Sequence, residues 1–148
     1  MNGPPAPIAR ECVEGYVFVR APLRLLLLRR PPSRDRIWVP VSGKVEPTDP
    51  DLEAALRREL REETGVEHPR SVFPLDWHVP FRVPSGETWR LHAYGVELER
   101  ADPPTLSEEH EEYAWLPADE AIARLHYPDN RDAVRRLRAR LDAPPRNV

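Results

Sequence analysis

Residues 42–66, SGKVEPTDPDLEAALRRELREETGV, predict a glycine-containing loop that is followed by one helix and a sharp stop. Asp49 is expected to cap the start of this helix, with Pro50 at its first position, where a missing N–H does no harm. Gly65 stands where a residue in the left-handed conformation would end the helix. About four helical turns lie between the two ends.

The core-facing stripe of this helix carries glutamates where apolar residues are due. It begins with leucine and alanine at helical spacing and continues with Glu59, Glu62 and Glu63. The opposite face holds Glu53, Arg57 and Arg61, which can pair with one another in water. Three like charges on a partly buried face destabilise the helix until a cation neutralises them. Carboxylate oxygens suit Mg²⁺, Mn²⁺ or Ca²⁺, so we favour a metal site over a solvated helix face.

The same stretch resembles the Nudix box, G-x5-E-x7-R-E-U-x-E-E-x-G-U, in which U is aliphatic. Residues 58–66, RELREETGV, match the second half at every specified position, and Gly43 matches its start. The first half departs from the pattern in two ways. Asp49 stands where the pattern has its first Glu, and eight residues rather than seven separate Asp49 from Arg58. We place the extra residue in the loop at residues 48–51 and assign Asp49 no catalytic role.

The resemblance implies a fold, a reaction and a set of site residues. The fold would be an α/β/α sandwich with a mixed β-sheet. The reaction would be the hydrolysis of a diphosphate linked to another moiety, with Mg²⁺ as cofactor and Mn²⁺ as a substitute. The implied metal ligands are the Gly43 carbonyl, Glu59, Glu62 and Glu63. Arg58 would hold the acids in place, and either Glu59 or Glu109 would be the general base.

Residues 106–116, LSEEHEEYAWL, carry a second pattern, L-S-x-E-H-x-x-Y-x-W-L. It is similar to one in two Nudix groups, the bacterial dihydroneopterin triphosphate pyrophosphohydrolases and the diadenosine polyphosphate hydrolases. In both groups the Glu before the His lies near the metals, and that Glu corresponds to Glu109 here. The substrate would then be dihydroneopterin triphosphate or another nucleoside triphosphate. A dinucleoside polyphosphate hydrolase and a non-catalytic nucleotide-sensing module stay open as alternatives.

The remaining chain predicts strands at residues 11–20, 23–29, 37–41, 72–83, 88–99 and 112–116, and helices at 118–125 and 129–141. Lys44 is the only lysine, and it is interpreted either as a phosphate contact or as chance. Four aromatic residues on the fourth and fifth strands are expected to pack in the core or to stack on a flat heterocycle. These are Trp77, Phe81, Trp89 and Tyr94.

Composition narrows the class of protein. The 148 residues, of which 40% are hydrophobic, predict a single domain over 1–148 with frayed tails at 1–9 and 143–148. A net charge of −3 disfavours nucleic-acid partners. The single cysteine, Cys12, excludes an internal disulfide, and neither a signal peptide nor a membrane segment is expected. We therefore expect a cytoplasmic protein that acts on small-molecule nucleotide or pterin polyphosphates, with homodimerisation left open.

Overall fold

The computed structural model describes residues 5–143, which form one seven-stranded sheet and three α-helices. The sequence analysis expected frayed tails at 1–9 and 143–148. Of these, residues 1–4 and 144–148 lie outside the described range. The expectation is wrong for Ile8 and Ala9, which begin the first strand. They do so because the parallel neighbour of this strand continues far enough to pair with Ile8.

Seven strands build a mixed sheet, with β3-β2-β1-β6-β5 as its main order, β4 pairing with β1 and β7 pairing with β2. Only the β1–β6 pair is parallel among the described strands, and all other pairs are antiparallel. The strands are β1 (Ile8–Val19), β2 (Arg24–Arg29), β3 (Trp38–Val39), β4 (Val41–Lys44), β5 (Ser71–Arg82), β6 (Thr88–Glu97) and β7 (Glu112–Pro117). The strand expected at 37–41 is divided at Pro40, because proline has no N–H for the ladder.

Helices cover both faces of the sheet. They are α1 (Leu52–Thr64), α2 (Ala118–Arg124) and α3 (Pro128–Asp142). Alternation along β1 sends Val13 and Val17 toward α1, and Tyr16 and Phe18 toward α2 and α3. The expected α/β/α sandwich is therefore confirmed. No helix within residues 5–143 is long and apolar enough to cross a membrane.

The start of α1 differs from the sequence expectation. Asp51, not Asp49, is the N-cap, and its side chain accepts a hydrogen bond from the Ala54 N–H at 2.8 Å. Asp49 cannot serve as cap because its carboxylate is bound to Arg58. The other end agrees with expectation, since Gly65 terminates the helix with φ 79°.

Candidate active site

Helix α1 directs two of the three glutamates of the Nudix-box pattern, Glu59 and Glu63, into the protein interior. Glu59 is 8% exposed and Glu63 is 2% exposed. Glu62 lies at the edge, with its side chain 57% exposed and 3.3 Å from the Arg58 guanidinium. The helix thus keeps the phase expected from the sequence, which confirms that the extra residue is absorbed before the helix begins. Glu62 is therefore not buried with the other two, although it shares the Arg58 Nη1 donor with Glu59 and lines the same cleft.

Strand β4 packs directly against these carboxylates. The Ser42 N–H donates a hydrogen bond to Glu63 Oε2 at 3.1 Å. A Cβ atom at Gly43 would overlap the carboxyl group of Glu59, so any other residue would displace that carboxyl from its position beside the strand. This approach is what a Gly43 carbonyl ligand would require, and the carbonyl itself stays a prediction.

Arg58 fastens the loop before α1 to the helix. Its Nε and Nη2 atoms donate to the two Asp49 carboxylate oxygens at 3.0 and 2.9 Å, and Nη2 also donates to the Lys44 carbonyl at 2.9 Å. Its Nη1 donates to Glu59 Oε1 at 2.8 Å. The two-point pair with Arg58 lowers the pKa of Asp49 to about 2. Asp49 is therefore a structural anchor for Arg58, and the expected role of Arg58 in holding the catalytic acids stays a prediction.

The acid at the buried end of α1 has no basic partner among the described residues. Burial, together with the neighbouring Glu59, raises the pKa of Glu63 to about 9. Burial also raises the pKa of Glu59, although Arg58 acts in the opposite direction. Among residues 5–143, no lysine or arginine forms an ion pair with Glu63. A cation supplied from solution would remove this imbalance.

His110, which the sequence analysis did not single out, is buried against Glu63. Its Nε2 atom lies 3.6 Å from Glu63 Oε1, and its Nδ1 atom has no hydrogen-bond partner within the described residues. Burial and the positive charges of Arg30 and Arg34 lower the pKa of His110 to about 4. The imidazole is consequently neutral at pH 7 and does not neutralise the carboxylate. The feature of the sequence that could have identified His110 is its position in the L-S-x-E-H pattern.

Glu109 meets the acids of α1 across the cleft. Ligand atoms of Glu63, Glu109 and His110 all lie within 4.8 Å of one another. Because Glu63 and His110 are buried while Glu109 is exposed, the cluster is open on one side. Carboxylate oxygens dominate this donor set once Glu59 is included, and such a set fits Mg²⁺ or Mn²⁺.

A cleft of about 1100 Å³ connects the acids with basic and aromatic walls. Lys44 lies in it, with its Nζ atom 5.0 Å from the centre of the Trp89 ring. Phe81 and Trp89 also line it and meet edge to face at 6.1 Å. Trp77 and Tyr94 do not line the cleft. The first lies under Arg136 and the second packs in the core.

Three further polar residues beside the cleft were missed. Glu14, Tyr16 and Asn130 form a buried hydrogen-bonded group on β1 and α3. The available signal was Glu14 itself, an acid inside the otherwise apolar run of residues 12–17. An acid at that position is expected to be paired or functional, because a lone buried carboxylate is costly.

Comparisons with known proteins identify the family. The NUDIX domain model matches residues 15–137, and the chain belongs to this family. It is similar to the CTP pyrophosphohydrolase of Escherichia coli K12, with 36% identity over 108 residues that cover 71% of this chain and 73% of that protein. It is also similar to the asymmetrical bis(5'-nucleosyl)-tetraphosphatase of Rattus norvegicus, with 35% identity over 100 residues covering 62% and 63%.

A solved structure with a similar fold is a Caenorhabditis elegans Ap4A hydrolase in a binary complex. It matches with a TM-score of 0.76 and 21% identity, over 90% of this chain and 98% of that one. The chain spans only part of the length of the first curated relatives that it matches, 32% of one and 63% of the rat tetraphosphatase. The family and the fold expected from the box are therefore confirmed, whereas the substrate needs separate support.

Proposed function

We propose that this protein is a Mg²⁺-dependent pyrophosphohydrolase that cleaves a diphosphate linkage in a nucleoside triphosphate or in dihydroneopterin triphosphate. The observation that carries the proposal is the pair of buried carboxylates on α1, Glu59 and Glu63, of which Glu63 has no basic partner in the described chain. Membership of the NUDIX family and the similarity to a CTP pyrophosphohydrolase support the same reaction class.

The residues present fit a divalent cation. Glu59 and Glu63 would hold it with the Gly43 carbonyl, Glu62 is within reach at the edge of the cleft, and Glu109 lies beside Glu63. When bound, such ions neutralise phosphate charge and lower the pKa of water for attack on phosphorus. Mn²⁺ would substitute for Mg²⁺, since both prefer oxygen ligands.

The protein's own groups divide the remaining work. Arg58 holds Glu59 and the Lys44 carbonyl, so it fixes the distance between helix and strand. The Lys44 ammonium projects into the cleft as a compact positive charge for a phosphate. Glu109 is the better candidate for general base, because it is exposed to water while Glu59 already accepts a hydrogen bond from Arg58. Glu59 stays the alternative base.

A dinucleoside polyphosphate is the second candidate substrate. The similarity to the rat tetraphosphatase favours it, and the cleft offers Trp89 and Phe81 as aromatic surface for a base. A non-catalytic nucleotide-binding module fits less well, because binding alone does not require buried, unneutralised acids. Under either enzyme assignment the partner is a small molecule, and a cytoplasmic location stays a prediction.

An assay of the purified protein tests the proposal. It would be incubated with Mg²⁺, with Mn²⁺ and with EDTA against CTP, GTP, ATP, dihydroneopterin triphosphate and diadenosine tetraphosphate. Pyrophosphate plus a monophosphate supports the first assignment, and ATP plus AMP from the dinucleotide supports the second. Metal-loaded protein that turns over none of these substrates overturns both.

A further inference from the structure

A buried imidazole lies at the inner end of the acid cluster. The His110 side chain is 4% exposed, and its Nε2 atom lies 3.6 Å from Glu63 Oε1, which is longer than a hydrogen bond. Its Nδ1 atom has no hydrogen-bond partner within residues 5–143. Because buried polar atoms are nearly always paired, an imidazole that meets no partner in this part of the chain requires an explanation.

The loop before β7 fixes the position of this imidazole. The His110 N–H donates to the Ser107 carbonyl at 3.3 Å, and the Glu109 N–H donates to Ser107 Oγ at 3.3 Å. The Glu111 N–H donates to the Arg29 carbonyl on β2 at 2.9 Å. The imidazole lines the cleft. It is therefore placed there by the hydrogen bonds of the surrounding N–H groups and not by one of its own.

The distances around His110 suit a shared ion. One ligand atom each of Glu63, Glu109 and His110 lie within 4.8 Å of one another. Two ligand atoms that are each about 2.1 Å from an ion lie about 3.0 Å apart at a right angle and about 3.4 Å apart at the tetrahedral angle. His110 Nε2 and Glu63 Oε1, at 3.6 Å, need to approach by only about 0.2–0.6 Å to share one.

We propose that His110 Nε2 is a metal ligand, which lets the cleft hold a first-row ion of the class of Co²⁺ and Zn²⁺ through a nitrogen as well as through carboxylates. The inference rests on the proposed function, because it assigns a further ligand and a further class of ion to the same site. Mg²⁺ binds the carboxylates of α1 without the imidazole. His110 thus sets the preference of the site between the two classes of ion.

The class of ion follows from the chemistry of the nitrogen. Imidazole is a good ligand for Zn²⁺ and its first-row neighbours, whereas Mg²⁺ prefers oxygen and keeps several of its waters. With Nε2 on the ion, Nδ1 carries the proton, and it has no acceptor among the described residues. Since an unpaired buried N–H is destabilising, only an ion with high affinity for nitrogen makes this arrangement favourable.

Proton magnetic resonance of the protein loaded with one equivalent of Co²⁺ tests the coordination. The Nδ1–H of a bound imidazole should give one resonance far outside the normal range, because it experiences the unpaired electrons, and this resonance should be absent in D₂O. His110→Phe, which keeps a planar ring, should remove it. His110→Gln, which offers the ion an oxygen instead, should do the same if His110→Phe does not fold in a thermal melt.

The matched control is His92→Phe. His92 belongs to another histidine–glutamate pair, with its Nε2 atom 2.8 Å from Glu11 Oε2, and neither residue lines the cleft. The shifted resonance should persist in this variant. Its loss there, with retention in His110→Phe, would place the ion at the wrong pair and overturn the inference.

Calorimetry measures the preference between ions. In His110→Phe the dissociation constant of Co²⁺ should rise by at least about 10-fold, since loss of even an outer partner of a metal ligand typically costs this much. The dissociation constant of Mg²⁺ should change by less than about threefold, because Mg²⁺ does not use the nitrogen. Equal losses for both ions would show that the imidazole is only structural.

The outcomes separate this inference from the proposed function. Hydrolysis with Mg²⁺ by a protein whose bound Co²⁺ shows no imidazole resonance overturns the inference alone. An imidazole-bound Co²⁺ in a protein that hydrolyses none of the substrates overturns the proposed function alone. If calorimetry detects binding of neither ion, both are overturned.

Discussion

Two buried carboxylates, Glu14 and Glu63, line this cleft and have different hydrogen-bond partners. Glu14 is 3% exposed and Glu63 is 2% exposed. Glu14 receives hydrogen bonds from Tyr16 and Asn130, and its pKa is raised only to about 7. Glu63 receives one backbone N–H and faces Glu59, and its pKa is raised to about 9. Burial alone does not indicate a metal site, whereas burial beside a second carboxylate and without a side-chain donor is what a metal ligand would show.

The largest effect should come from Glu63, the carboxylate that lacks a side-chain donor. Glu63→Gln removes one negative charge from the candidate metal site and should lower turnover by about 10³-fold, the loss typical of removing one preorganised electrostatic group. Glu14→Gln should cost only about 10-fold on a nucleotide, because it disturbs one hydrogen bond. Steady-state rates at saturating Mg²⁺ would measure both. Equal losses would remove the distinction between the two sites.

A surface acid on α1 provides the control for this prediction. Glu53 pairs with Arg57 at 3.1 Å on the exposed face of the helix, so Glu53→Gln should change turnover by less than about threefold. A loss comparable to that of Glu63→Gln would show that the helix face has been assigned wrongly.

The second-largest loss of turnover should come from substitution of Glu109. It is exposed, yet it lies with Glu63 and His110 in one cluster, and removing a general base usually costs at least about 10²-fold. Glu109→Gln should therefore slow hydrolysis by about that factor. Glu108→Gln, one residue earlier and also exposed, should change the rate by less than about threefold. Small and equal effects from both would leave Glu59 as the preferred base.

Most of the fold could be predicted from the sequence, because local patterns decide it. The apolar run of β2, the alternation along β1 and the glycine stop of α1 each indicate one structure. The cap of α1 could not be predicted. Asp49 and Asp51 are both acceptable N-caps locally, and the choice depends on Arg58, nine residues beyond Asp49.

From local patterns the site could be predicted only along the helix, and Glu109 could be predicted only from the family resemblance. Helical spacing placed Glu59 and Glu63 inward, but the exposure of Glu62 depends on how far the cleft edge extends and on its pairing with Arg58. His110 and Asn130 come from loops and a helix that are distant in sequence from Glu63 and Glu14. Their proximity arises from the packing of α3 and the 106–111 loop against the sheet, which no local pattern contains.

Metal binding should stabilise the protein through the Glu63 end of the cleft. At a hundredfold excess over its dissociation constant, Mg²⁺ or Mn²⁺ should add about 2.7 kcal/mol to the free energy of unfolding if the unfolded chain does not bind. Thermal melts with and without the ion would measure this. Glu14→Gln should retain the shift and Glu63→Gln should lose most of it. A melting temperature that neither ion moves at millimolar concentration would count against the metal site.

The smallest expected effect is a dependence of stability on pH in the metal-free protein. The pKa of Glu63 is about 9 in the folded protein and near 4.5 when unfolded, so between these values the folded state binds more protons. Stability is then fully present below about pH 4.5 and falls as the pH rises, by at most about 1.4 kcal/mol per pH unit for one proton. The pKa of Glu14 is also raised, so its contribution to stability also decreases with increasing pH, and this decrease is centred near pH 7.

The window from pH 7 to 8.5 isolates Glu63 once Glu14, whose pKa is about 7, has been replaced by glutamine. Below it His110 acts in the opposite direction, because a pKa lowered to about 4 makes stability fall as the pH drops through the usual histidine value. Urea unfolding with EDTA should therefore show the stability of Glu14→Gln decreasing from pH 7 to 8.5, and the wild type should decrease more steeply at the lower end of this range. Adding Glu63→Gln to Glu14→Gln should make the stability independent of pH, since neither amide titrates. Saturating Mg²⁺ should reverse the slope of Glu14→Gln, because metal ions bind the deprotonated carboxylate. A slope that persists in the double variant would assign the proton to another group and remove the physical basis of the comparison.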